Sequence, residues 1–111
     1  MKVRVAAVLL LGLVACREPQ PLPPERAEYA GTWEGDGVRL QITPEGGVTY
    51  DRKVGAGNEH VEGNIAGWKG DGFVVGAMTV KTAFEVPAPP EKVSGTWTMT
   101  VNGKTVYRLS P

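Results

Sequence analysis

Trp33-Glu34-Gly35-Asp36-Gly37-Val38 returns thirty-five positions later as Trp68-Lys69-Gly70-Asp71-Gly72-Phe73. Each copy closes one alternating run of residues and opens another. Asp-Gly suits a tight two-residue hairpin turn, because both residues tolerate the positive φ that such a turn demands. The glycine before it, Gly35 or Gly70, lies two residues after its tryptophan and so on the same strand face, where it leaves room for the indole to lie over backbone. The repeat therefore reads as a strand-closing element used twice. Its acidic residues belong to turn geometry before they belong to any ligand.

The texture on either side is the same. No window from Tyr29 onward shows apolar residues at helical spacing, and glycine is dense, with 15 in the chain. Eight strands can be marked, at about 30–35, 38–43, 47–54, 59–67, 72–78, 81–87, 93–101 and 104–110. Between them stand Asp36-Gly37, Pro44-Glu45-Gly46, Gly55-Ala56-Gly57-Asn58, Gly70-Asp71-Gly72, Pro87-Ala88-Pro89-Pro90 and Asn102-Gly103. Connections this short join antiparallel neighbours, since a parallel crossover needs about a dozen residues. The predicted fold is all-β: a small antiparallel eight-stranded up-and-down barrel, closed to remove its edges or partly open, with a two-layer sandwich as the other arrangement.

Alternation assigns the faces. Val38, Leu40 and Ile42 share one side of the second strand, Val48 and Tyr50 of the third, and Thr82, Phe84 and Val86 of the sixth, while Arg39, Gln41, Thr49, Asp51 and Glu85 face solvent. Asn102-Gly103 favours a type I′ turn that sets Val101 opposite Lys104, Met99 opposite Val106 and Trp97 beside Arg108. In the fourth strand Val61 and Ile65 share a parity that Trp68 does not, which a β-bulge would reconcile.

The N-terminus has a different character. Lys2 and Arg4 precede an apolar run of about ten residues that ends in Leu13-Val14-Ala15-Cys16, a pattern of secretory signal segments and too short to span a bilayer comfortably. Leu-Val-Ala-Cys resembles the lipobox of bacterial lipoproteins, and Cys16 is the only cysteine in the chain. The resemblance implies removal of residues 1–15 and lipidation of Cys16, and hence a membrane anchor. Residues 16–28, with four prolines between Arg17 and Pro24, read as an extended tether with no fold of its own, about 35 Å in reach at the polyproline rise. Residues 29–111 are the barrel domain. Arg17 rather than aspartate after the cysteine implies, by the enteric sorting pattern, the outer membrane of a bacterial envelope.

Tyr29-Ala30-Gly31-Thr32-Trp33 resembles the Gly-x-Trp opening of lipocalin-like (calycin) barrels, in which an arginine of a late strand packs across the tryptophan. Gly31 and Trp33 match that motif, and Arg108 is the corresponding arginine. The three tryptophans, Trp33, Trp68 and Trp97, with Arg108 beside them, invite a weak site at a barrel mouth for a sugar or an apolar ligand. The residues favour a core role for the three tryptophans over that site, because a domain this small has few other bulky side chains.

Little else suggests chemistry. Without Lys2 and Arg4 the chain carries ten basic against twelve acidic side chains, which argues against nucleic acid as a partner. His60 and Glu62 share a strand face at a spacing that two metal ligands could use, but no second histidine or free thiol completes a zinc set, so no metal or other cofactor is expected. No nucleophile motif is present, and the chain reads as a non-enzyme. The expected function is a membrane-anchored envelope lipoprotein whose barrel is a binding or accessory module for another envelope protein. The alternative is a carrier or sensor of a small apolar ligand.

Overall fold

The structure, a computed structural model, describes residues 20–77 and 79–109. Residues 1–19, on which the expected signal segment 1–15 and the expected lipidation of Cys16 fall, lie outside the described residues, as do Met78 and residues 110 and 111.

Among the described residues, nine antiparallel strands form one curled sheet. They are β1 (Gly31–Gly35), β2 (Val38–Ile42), β3 (Gly47–Val54), β4 (Gly57–Lys69), β5 (Gly72–Ala77), β6 (Val80–Phe84), β7 (Ala88–Val93), β8 (Thr96–Val101) and β9 (Lys104–Arg108). The order is β6-β5-β4-β3-β2-β1-β9-β8-β7, so the first strand pairs with the last and the sheet curls into an open up-and-down barrel whose free edges are β6 and β7. The gap falls inside the sequence, between neighbours in the chain, rather than between its ends.

β7 is the strand that the alternation did not reveal. Ala88-Pro89-Pro90 was expected to be a turn, because proline has no N–H to give to a ladder. At a sheet edge that loss costs nothing on the open side, and a register shift between Ala88 and Glu91 carries the two prolines past the β8 ladder. Prolines and a bulge on an edge also discourage pairing with other chains.

Interior positions follow the expected parity. Trp33, Leu40, Met99, Val101 and Val106 are fully buried, and Ile42, Tyr50, Phe73 and Val75 are nearly so. Phe73 stacks on Phe84 at 5.2 Å, and Tyr50 meets Phe84 edge-on at 4.9 Å. The last hairpin has the expected register, with Val101 opposite Lys104 and Met99 opposite Val106. The bulge in β4 lies between Ile65 and Gly67, beside the parity change.

Two expectations need correction. The first Asp-Gly is a two-residue turn with positive φ at Asp36 (50°) and Gly37 (77°), flanked by the pair Gly35 and Val38. The second is not its copy: Lys69 pairs with Gly72, so the turn residues are Gly70 and Asp71, and Gly70 has φ 63°. The other correction concerns the tether. Pro24–Tyr29 is a 3-10 helix, with proline at its start where no backbone donor is needed, and Leu22 and Tyr29 pack on the core. Polyproline-like composition described the residue types correctly, but apolar Leu22 and Tyr29 gain more by burial against the barrel than by remaining extended in water.

Candidate functional site

Of the four residues singled out by the sequence, Trp33, Trp68 and Arg108 meet at the 3-10 helix, and Trp97 joins them through Arg108. The guanidinium of Arg108, on β9, lies 5.7 Å from the Trp33 ring and 4.8 Å from the Trp97 ring, so it serves both indoles between which the sequence could not choose. Its Nη1 also donates to the carbonyls of Glu28 and Ala30, each at 3.2 Å. Gly31 is a glycine for a local reason: a Cβ there would stand 2.6 Å from Cδ of Arg108, whose stem lies across that position. Trp33 Nε1 donates to the Tyr29 carbonyl at 3.0 Å, which satisfies the indole inside the core.

Trp68 forms the other half of the cluster. It is half-buried and meets Tyr29 at 4.9 Å and Phe73 at 5.7 Å, both edge-on. Arg26 covers it at 4.3 Å and donates from Nη2 to the Gly70 carbonyl at 2.9 Å. The Tyr29 hydroxyl donates to the Asp71 carbonyl at 2.7 Å. Burial of the ring raises the Tyr29 pKa above the ordinary phenol value, against the opposing pull of Arg26. Arg26 and Tyr29 were not singled out as site residues, since nothing local in a proline-rich stretch announces a contact with a loop more than forty residues away. The arrangement is two arginine–tryptophan stacks bridged by one tyrosine. The chain's own segment occupies the place where an aromatic-lined ligand mouth would open.

A second cluster lies on the outer face of the sheet. Tyr107, Glu34, Arg39, Asp51 and His60 are successive cross-strand partners over β9, β1, β2, β3 and β4. Arg39 is paired with Glu34. His60 Nδ1 is 2.6 Å from Asp51 Oδ1, and Nε2 is 3.4 Å from Glu62 Oε1. The hydrogen bond with Asp51, followed by that with Glu62, favours the imidazolium and raises the His60 pKa above its ordinary value. Among the described residues no group of three or more His, Cys, Asp or Glu side chains could hold a metal ion.

Beyond this row the β3–β4 hairpin leaves the barrel. Residues 53–60 are exposed on both faces, and Arg52 and Glu59 approach to 3.6 Å across its base. A groove of about 330 Å³ separates this arm from the β1–β2 turn, lined by Glu34, Arg39, Asp51, Lys53 and Asn58 among others. Another, of about 420 Å³, opens at the free edge beside Phe73, Phe84, Val86 and Pro87. The chain matches no protein-family model, no curated protein and no solved structure.

Proposed function

We propose that the protein is a non-enzymatic envelope lipoprotein, anchored through Cys16 in the outer membrane, whose small lipocalin-like barrel is a binding module for another envelope protein. The observation that carries this reading is the filled interior: Trp33, Leu40, Met99, Val101 and Val106 have no exposed surface, and Tyr29 plugs the aromatic cluster. A carrier needs a concave apolar volume that its own side chains leave open. Here the groups left for recognition are on the outside, in the charged row from Glu34 to His60 and on the β3–β4 arm. An exposed two-stranded arm is of marginal stability alone and gains order when a partner covers one face.

A photo-crosslinking side chain placed at Lys53 or Asn58 in intact envelopes should yield one discrete adduct, with none from the same group at Lys92 on β7. Adducts from every position alike would refute the binding face. Membrane fractionation of Cys16→Ser tests the anchor separately, with release as the expected result.

The alternative carrier reading has one observation in its favour, the edge groove beside Phe73 and Phe84, which would suit a small apolar ligand. Quenching of tryptophan fluorescence by such a ligand, abolished by Val74→Arg at the groove, would favour it over the protein-binding reading.

A further inference from the structure

We propose that residues Gln20–Tyr29 are a strap that seats the barrel against the membrane surface, with the β2–β3 turn facing the lipid and the β3–β4 arm pointing away. This rests on the reading of Cys16 as the lipidated residue.

The strap is fastened along its length. Leu22 N donates to the Pro44 carbonyl at 2.9 Å, and its side chain packs on the core. Gln20 lies so close to Gly46 that a Cβ at Gly46 would collide with the Gln20 carbonyl. Farther on, Arg26 is bonded to Gly70, Tyr29 to Asp71, and the backbone at Glu28 and Ala30 to Arg108. Chain that an extended tether would use as reach is thereby spent on the surface of the domain.

The consequence is a short leash. Four residue steps separate Cys16 from Gln20, and a fully extended chain covers at most about 3.6 Å per residue. Gln20 therefore stays within about 14 Å of the lipidated residue. Its neighbour in the fold, the turn Pro44-Glu45-Gly46, is held close to the headgroups with it. From that turn β3 runs eight residues, Gly47–Val54, to the turn at Gly55-Ala56, a span of about 25 Å at the rise of an antiparallel strand. A bilayer is the occupant the leash length selects, and the turn needs no basic patch to reach it, since Glu45 is its only charged residue.

Once Cys16 is acylated the chain has no thiol, so a single introduced cysteine can be labelled cleanly. The lipidated protein would be reconstituted in phosphatidylethanolamine–phosphatidylglycerol vesicles, with a fluorophore at Glu45→Cys or Ala56→Cys and a quencher on the lipid headgroups. The expected result is strong quenching at position 45 and weak quenching at 56, a height difference of about 25 Å. A flexible Gly-Ser insertion of about ten residues after Arg17, outside the strap, should level the two, because such a linker wanders over about 17 Å. Equal quenching at 45 and 56 without the insertion, in protein that floats with the vesicles, would overturn the seating and leave the anchor intact. Failure of the labelled protein to float with vesicles would overturn the anchor itself and the seating with it.

Discussion

The two Trp-x-Gly-Asp-Gly loops share four of their five residues and differ by one residue in where the chain turns. At the first, Gly35 pairs with Val38 and the turn is Asp36-Gly37; at the second, Lys69 pairs with Gly72 and the turn is Gly70-Asp71. The difference is set from the far end of the hairpin. Ile65 must face Val75 so that both stay in the core, and the β4 bulge then adds one residue before Trp68 reaches Phe73. A one-residue slip would carry every side chain of the strand to the other face, so burial overrides the local preference of Asp-Gly. The loops have also diverged in task. Asp36 Oδ2 accepts from the backbone N–H of Thr105 at 3.3 Å and helps join β1 to β9, whereas the carbonyls of Gly70 and Asp71 hold Arg26 and Tyr29 of the strap.

This contrast can be broken at its tryptophans first. Trp33→Ala should cost about 3–5 kcal/mol, because the indole is fully buried, and Trp68→Ala about 1–2 kcal/mol, both read from urea unfolding. Equal losses would mean that the loops are equivalent after all.

The covering arginines come next. Arg108→Ala removes contact with two indoles and two carbonyl bonds, for a loss of about 2–3 kcal/mol; Arg26→Ala removes one stack and one carbonyl bond, for about 1–2 kcal/mol. Arg26→Ala should in addition make the bond after Glu25 or Glu28 sensitive to limited proteolysis by a glutamate-specific protease, and Arg108→Ala should not do so ahead of global unfolding.

The glycines sharpen the comparison further. A Cβ at Gly35 would stand 2.5 Å from the Thr105 carbonyl oxygen, where backbone of β9 cannot retreat, and Gly35→Ala should cost about 2 kcal/mol. At Gly70 a side chain meets open space, so only the positive φ opposes it, and Gly70→Ala should cost about 1 kcal/mol with Gly70→Asn restoring part of it.

The smallest effect expected is a pH dependence confined to the second loop. The folded-state pKa of Tyr29 is raised, so its contribution is fully present below the ordinary phenol value of 10.0 and is lost as pH rises through the folded value. Stability should fall in that alkaline window, and Tyr29→Phe should flatten the fall. Hydrogen exchange at Gly72 should quicken there before exchange at Val38.

Much of this was legible in the residues. Val38, Leu40 and Ile42 declare a half-buried strand by alternation alone, Asn102-Gly103 fixes the register of β8 on β9, and the parity conflict between Ile65 and Trp68 announces the bulge. Of the site, Trp33, Trp68, Trp97 and Arg108 were visible as candidates. Beyond the pair Trp97 and Arg108 their convergence was not, and neither were Arg26 and Tyr29, because the contacts that bring both halves onto one segment, Arg26 with Trp68 and Arg108 with Glu28, link residues more than forty positions apart.

What the sequence by itself determined, then, is what repeats over two to eight residues: the all-β class, most strand limits, inward and outward faces, and one hairpin register. Only the tertiary structure decided that proline-rich Ala88–Val93 is an edge strand, that Pro24–Tyr29 folds onto the barrel, that the sheet opens between β6 and β7, and that the second Asp-Gly does not turn as the first does. The physical reason is that each is decided by a distant partner. Local propensity is worth a fraction of a kcal/mol per residue and burial of a single large apolar side chain about 1.5–3 kcal/mol, so packing settles the strap and the second turn, while exposed Ala88–Val93 is set by its ladder to β8.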